Sequence, residues 1–375
     1  MERTKYMQRG NTTPPTFEPC CLATTIGSLP HKDVERGTEL MFTSTPKIPS
    51  WVQFPRLAFH ENMMVQFTEG MPALVQDDDR IYFDTQTTDY TDQLTLFYER
   101  YLQVIETGNS DALEHFSIST KYSAGFKSFI QYLTKSADSA IMLKGQVTGP
   151  FTQAINLLDE NGRCAYYDET LRDVVKKTVA MKALWQITQL SRFQKPLIIF
   201  LDEPSLLGFG SQTFITVSEE DIISDVNEVV SLIHAHGALA GVHCEEDTDW
   251  SLLMATDLDI LDFDAYDHLQ AMTLYPADLE SFFKRGGTLG WGIVPTLDAE
   301  AAATETVDSL LERFEAGLDR FEEKGFQRSE LLAKALITPS CGAGGVLTEP
   351  LAERVLEILP EFSKRLRERY GLNDR

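Results

Sequence analysis

The sequence has few cysteines and no long hydrophobic run. Its five cysteines are an odd number scattered over 375 residues, so a disulfide framework like that of small secreted proteins is not expected. No apolar stretch approaches the ~20 residues of a transmembrane helix, and the N-terminal residues lack the apolar segment of a signal peptide. We therefore expect a cytoplasmic protein with reduced cysteines and no membrane association.

Basic residues are also scarce. The chain has 33 Lys and Arg against 57 Asp and Glu, a formal net charge of −24. Such a surface repels phosphate backbones, so nucleic acid is not expected as a partner. We find no internal repeat and no linker rich in Gly, Ser or Pro. The polar residues 1–19 predict a flexible leader, and residues 20–375 a single domain.

Short apolar runs rich in β-forming residues alternate with longer stretches of helical period, a pattern typical of βα units around a parallel sheet. Eight such runs predict a closed (β/α)8 barrel, with additional helices in residues 57–139. Residues 218–237 predict one of the helices, beginning with a Ser-x-x-Asp cap and ending on Gly237. The eight predicted strands are residues 22–28, 51–54, 140–146, 197–203, 238–244, 259–266, 288–294 and 335–341.

Chemically capable side chains concentrate at the carboxyl ends of these strands. In a barrel those ends form one face, where active sites are built. A single His or Cys there is more often a packed core residue, but several on one rim favour a function. Their N, S and O atoms are ligands that zinc accepts, and their spacing matches no compact zinc finger. The residues are Ser28, Asp202, Glu203, His243, Cys244, Glu245, Asp264 and Cys341.

Several segments, in order, resemble the catalytic domain of the cobalamin-independent methionine synthases. They are TTIGSLP (24–30), LKGQVTGP (143–150), IFLDEPSL (199–206), the segment around His243, and TPSCGAGG (338–345). The same superfamily holds corrinoid-linked methyltransferases and uroporphyrinogen decarboxylase. The resemblance implies a zinc-dependent methyltransferase that transfers a methyl group to a thiol, homocysteine, to give methionine. The methyl donor would be a methyl-folate or a corrinoid protein.

The resemblance also implies the zinc ligands. The family uses a His-x-Cys pair, a carboxylate at the end of the next strand and the Cys of a Pro-x-Cys-Gly loop. These positions correspond to His243, Glu245, Asp264 and Cys341. Asp264 stands where the family usually has Glu. Glu245 stands where it has Cys, with Cys244 one position earlier as a substitute ligand. A carboxylate in place of a thiolate makes the metal a harder Lewis acid.

By the same resemblance, Ile26, Gly27, Ser28 and Asp202 hold the amino-acid end of homocysteine, and we expect Glu203 to be a further substrate-binding residue. Backbone N–H groups and a hydroxyl suit its carboxylate, and Asp202 suits its ammonium group. The alternative role of the Asp-Glu pair is a capped exit from the strand. A second glutamate contact of the family has its nearest counterparts at His60 and Glu61.

Three other functions stay open. The first is a methyltransferase with another thiol acceptor, because loops outside these motifs set acceptor choice. The second is a non-catalytic descendant without metal, which Glu245 and the absence of a family histidine after the seventh strand favour. A uroporphyrinogen decarboxylase-like lyase is least expected, since Arg56 alone near Pro49 and Trp51 serves a polycarboxylate substrate poorly.

Overall fold

The computed structural model describes residues 17–77, 80–209, 216–245 and 248–372. Their strands are β1 (Leu74–Asp77), β2 (Arg80–Phe83), β3 (Leu143–Thr148), β4 (Leu158–Asp159), β5 (Leu197–Asp202), β6 (Leu239–Cys244), β7 (Ile260–Phe263), β8 (Thr288–Val294) and β9 (Ala335–Pro339). Six of them form one curled parallel sheet, a half-barrel, in the order β3-β5-β6-β7-β8-β9.

Helices separate the strands of this sheet, as parallel connections require. Those in the described part of the chain are α1 (Val34–Ser44), α2 (Met63–Gln66), α3 (Tyr90–Thr107), α4 (Ser110–Glu114), α5 (Ala124–Ser136), α6 (Pro150–Asn156), α7 (Glu169–Ser191), α8 (Glu219–Ala235), α9 (Trp250–Met254), α10 (Leu269–Met272), α11 (Pro276–Lys284), α12 (Ala299–Thr304), α13 (Val307–Glu323), α14 (Arg328–Ala333) and α15 (Glu349–Tyr370). None of these helices combines the length and apolar character that a bilayer crossing needs.

Every residue of the six parallel strands is buried, as expected for a parallel sheet covered on both faces. Alternate residues of each strand point to the inner face of the curl. Near the amino ends of the strands this face is filled by apolar side chains, here called the apolar end cluster. Its members are Ile48, Met142, Ile198, Phe200, Leu239, Ile260 and Leu336.

Six of the eight predicted strands are confirmed. Residues 22–28 and 51–54, by contrast, form isolated parallel bridges instead of strands. The first segment follows two residues with positive φ and contains Gly27, whose φ is +143°, so its backbone cannot stay extended. The second is bounded by prolines, which lack the N–H that a ladder uses. The bridges join Ala23 to Ile337, Ser28 to Gln53, and Ser50 to Lys144.

The additional helices predicted in residues 57–139 are confirmed as α2 to α5. The same region contains the antiparallel pair β1–β2, which the sequence did not predict, and β2 also pairs with β4. Of the predicted leader, residues 1–16 lie outside the described part of the chain. Phe17 packs against the apolar end cluster.

Candidate functional site

A cavity of about 300 Å³ opens at the carboxyl ends of the parallel strands, and we call it the mouth cavity. Six residues that the sequence predicted as site residues line it, although they come from distant parts of the chain. These are Ile26, Ser28, Asp202, His243, Glu245 and Cys341, and the other lining residues are Gln53, Pro55, Glu61, Asn62, Met63, Pro204, Leu297, Gly342, Gly345 and Val346.

Three of the predicted metal ligands lie together in this cavity. One donor atom each from His243, Glu245 and Cys341 lies within 4.8 Å of the others, and we call these residues the ligand trio. Cys341 Sγ donates to Glu245 Oε1 at 2.5 Å, and His243 Nε2 lies 3.9 Å from the same oxygen. Nitrogen, oxygen and sulfur donors at this separation could hold a zinc ion.

A second carboxylate, that of Asp262, contacts the imidazole ring of His243. Its Nδ1 lies 2.7 Å from Asp262 Oδ1, while its buried Nε2 has no hydrogen-bond partner in the described structure. Burial lowers the pKa of His243, but the hydrogen bond to Asp262 and the negative charges of Asp262, Glu245 and Asp202 outweigh that effect and leave the pKa raised. The free nitrogen therefore sits in a strongly negative environment.

The thiol of Cys341 is held in its neutral form by this environment. Burial, followed by the charge of Glu245, raises its pKa well above the ordinary value for a cysteine. Among the described residues that line the mouth cavity there is no Lys or Arg. A bound metal cation reverses such a shift, since it deprotonates a coordinating thiol outright. The ligand trio, which includes the unpartnered Nε2 of His243, thus fits a metal ion.

Asp202 lies at the end of β5 and presents an unsatisfied oxygen. Its Oδ1 is buried and has no hydrogen-bond partner in the described structure. Burial raises the pKa of Asp202 to about 6, against the opposing effect of the nearby positive charges of Lys144 and His243. Above that pH the carboxylate can accept a charge-assisted hydrogen bond from an ammonium group.

The turn at residues 26–28 is fixed by contacts that need a glycine. A Cβ on Gly27 would lie 2.5 Å from Gln146 Nε2, and the φ of +143° disfavours other residues as well. Ser28 Oγ accepts a hydrogen bond of 3.1 Å from the backbone N–H of Gly344. These contacts tie the turn to β3 and to the loop after β9, next to Cys341.

Glu203, predicted to contact substrate, does not line the mouth cavity. Its carboxylate accepts hydrogen bonds from the backbone N–H groups of Phe151 (3.0 Å) and Thr152 (2.7 Å) at the start of α6. Burial raises its pKa to about 7. A Cβ on Gly149 would lie 2.2 Å from this carboxylate, so the glycine makes the approach possible. The structure places Glu203 as a helix cap.

Cys244 and Asp264 are not members of the ligand trio. Cys244 is fully buried, and its Sγ contacts Thr248 Oγ1 at 3.0 Å and the carbonyl of Glu203. Asp264 Oδ1 accepts hydrogen bonds from the backbone N–H groups of Tyr266 and Asp267, which stabilise the turn after β7. Its other oxygen is buried without a partner. We therefore leave both residues out of the proposed ligand set.

Sequence reasoning missed two buried charged residues beneath the cavity. Asp262 lies in β7, two residues before Asp264, so the alternation of the predicted strand at residues 259–266 was a signal that could have found it. Lys144 is fully buried in β3, and its Nζ donates to the carbonyl of Ile26 at 2.8 Å. Burial lowers the pKa of Lys144 to about 8. Lys144 thus supports the turn from below.

Glu61, which the sequence placed only near the site, does line the mouth cavity. Its Oε1 accepts from the backbone N–H of Ala124 at 2.7 Å and its Oε2 from Gln66 Nε2 at 3.0 Å. Burial raises the pKa of Glu61 to about 7, against the effect of these hydrogen bonds. The cavity therefore has acidic groups on two sides.

Comparison with known proteins adds no family to this description, since no family model and no curated protein matches the chain.

Proposed function

We propose that the chain is a zinc-dependent S-methyltransferase whose methyl acceptor is a thiol, homocysteine. The observation that carries the proposal is the ligand trio, which lies in a cavity at the carboxyl ends of parallel strands. His243 Nε2, buried without a partner, is the strongest sign of an intended ligand there. The segments that resemble the methionine synthases, and that follow one another in the same order along the chain, support the same function.

We also propose that the fold is a closed (β/α)8 barrel. The half-barrel sheet ends at β3 and β9, and the isolated bridges link both edges to the N-terminal segments. Ser50 bridges to Lys144 of β3, Ala23 bridges to Ile337 of β9, and the two segments meet through Ser28 and Gln53. These contacts follow the order that two further strands would need for closure.

In this proposal His243, Glu245 and Cys341 hold the zinc ion and leave a position for the substrate. When bound, zinc lowers the pKa of a coordinating thiol, so that a thiolate is present at neutral pH. Asp202 pairs with the substrate ammonium group, and the turn at 26–28 faces its carboxylate. Apolar residues of the cavity, the buried Ile26 and the half-buried Leu297 among them, exclude water from the nucleophile.

The composition of the mouth cavity bears on the methyl donor. Its described lining has Glu61, Asp202 and Glu245 but no Lys or Arg. Such a lining offers nothing to neutralise a polyglutamyl tail. We therefore propose a corrinoid protein, rather than a methyl-folate, as the donor. The proposal also places the chain in a reducing compartment, because Cys341 must remain a free thiol, as it is here.

Zinc content is the first test. Elemental analysis of protein purified without chelators or added zinc should give near-stoichiometric metal, which Cys341→Ser should largely lose. The matched control is Cys164→Ser, which changes a half-buried cysteine that does not line the mouth cavity. A zinc-loaded parent should then methylate homocysteine with methylcobalamin as the probe donor. Absence of zinc from all three folded proteins would contradict the proposal.

A further inference from the structure

We propose that Asp262 is a positioning residue that orients His243 so that Nε2, and not Nδ1, presents its lone pair to the mouth cavity. The inference rests on the proposed function only in treating His243 as a metal ligand. The contact between the carboxylate and the imidazole can be tested without any metal.

The sheet itself brings the two residues together. Strands β6 and β7 are parallel neighbours, and His243 and Asp262 are direct partners in their register. Partners on adjacent strands point to the same face, here the inside of the curl. Asp262 is fully buried, and its Oδ1 lies 2.7 Å from His243 Nδ1. The carboxylate thus contacts Nδ1, whereas the other ring nitrogen, Nε2, is the one that belongs to the ligand trio.

The carboxylate of Asp262 is in turn fixed in place. Thr338 Oγ1, on the nearby strand β9, donates to Asp262 Oδ2 at 2.7 Å. Between these two strands lies β8, where a Cβ on Gly290 would come within 2.1 Å of the same oxygen. The glycine therefore provides the space that the carboxylate occupies, and the threonine sets its rotation. Three strands contribute to the position of one imidazole ring.

An ionised carboxylate only accepts hydrogen bonds, so its contact with the neutral ring places the imidazole proton on Nδ1. In the neutral ring, Nε2 then carries the lone pair, which is what a metal ion requires. The buried Nε2 has no other partner in the described structure to compete for it. In other metal sites, loss of the carboxylate that hydrogen-bonds to the second ring nitrogen of a ligating histidine lowers metal affinity by about 10–100-fold.

The test uses the full chain and two readouts. Long-range ¹H–¹⁵N spectra of the metal-free protein labelled at histidine report the tautomer of His243. Competition with a chromophoric chelator reports its zinc affinity. At a pH at which the His243 ring is neutral, the parent should show the Nδ1–H tautomer. Asp262→Ala, which removes the acceptor, should lose that preference and bind zinc about 10–100-fold more weakly. Asp262→Asn keeps an acceptor and should show a smaller loss.

Thr338 supplies a matched pair that leaves Asp262 in place. Thr338→Val removes the hydroxyl at nearly constant shape and should weaken zinc binding several-fold, whereas Thr338→Ser keeps the hydroxyl and should behave as the parent. This pair also decides the matter if Asp262→Ala does not fold. An unchanged tautomer and unchanged affinity in Asp262→Ala, or equal affinities in the Thr338 pair, would overturn the proposal. If the parent binds no zinc but the tautomer still depends on Asp262, the positioning role stands and the proposed function fails.

Discussion

The two ends of the curled sheet differ in chemistry although the same strands build both. Along the inner face, Ile260 of β7 is followed two residues later by Asp262, and Leu336 of β9 by Thr338. Leu239 belongs to the apolar end cluster, while His243 on the same strand belongs to the ligand trio. The apolar end packs side chains against one another. The carboxyl end instead contains buried polar atoms, several of them unpartnered.

This difference separates stability from function along each strand. Burial of apolar surface stabilises the fold at the amino ends of the strands. Unpartnered polar groups at the carboxyl ends cost stability, and such groups persist where a ligand is meant to satisfy them. Substitutions at one end should therefore change the free energy of unfolding, while those at the other should change ligand binding.

The largest expected effect on stability comes from Ile260→Ala. Ile260 is fully buried in the apolar end cluster, so the truncation should lower the free energy of unfolding by about 2–5 kcal/mol. Zinc bound per folded molecule should stay the same, although Asp262 lies only two residues away. Urea denaturation and elemental analysis check the two parts, with Leu57→Ala at an exposed site as the control. A loss of zinc from folded Ile260→Ala would contradict this separation of stability from ligand binding.

Asp202→Asn should show the opposite behaviour. Loss of a buried carboxylate that pairs with an ammonium group should weaken homocysteine binding by about 1.5–3 kcal/mol, or roughly 10–100-fold. Stability should not fall, because burial already disfavours the charged form. Isothermal titration with homocysteine, and with the analogue that lacks the amino group, measures the effect. The parent and the variant should bind that analogue equally, and a large difference there would assign Asp202 a structural role instead.

Glu61→Gln should give the smallest of these effects, visible as a change in pH dependence. With a folded pKa of about 7, against an ordinary value of 4.5, folded Glu61 binds more protons than the unfolded chain between these pH values. Its contribution to stability is therefore complete below pH 4.5 and is lost as the pH rises to 7. The variant should remove roughly 1–2 kcal/mol of this decline. Urea denaturation at pH 5 and pH 8 should show it, and equal declines in both proteins would contradict it.

Much of the sheet was predictable because its strands are long apolar runs with clear ends. The helix predicted at residues 218–237 is likewise confirmed as α8, where Ser218 Oγ accepts from the backbone N–H of Asp221 and Gly237 has a φ of +74°. Residues 22–28 and 51–54 were less predictable. Their short extended contacts depend on β9, through Ala23 and Ile337, and on each other, through Ser28 and Gln53, rather than on local pattern.

The site was predictable to the extent that strand ends meet on one face. Which side chain at a strand end reaches the cavity depends on details that only the packed structure provides. Glu203 follows Asp202 directly but turns to cap α6. Asp262 lies in β7 opposite His243, whereas Asp264, two residues later, lies in the turn after the strand. The alternation of side chains along a strand predicts the face of the sheet on which a residue lies, but not the residue of the neighbouring strand that it contacts.

X-ray absorption at the zinc edge tests the central claim most directly. For the zinc-loaded parent, the ligand trio predicts one sulfur scatterer at about 2.3 Å and nitrogen or oxygen scatterers at about 2.0–2.2 Å. Addition of homocysteine should raise the number of sulfur scatterers from one to two. A first shell without sulfur, or a shell that homocysteine leaves unchanged, would contradict thiol activation at this site.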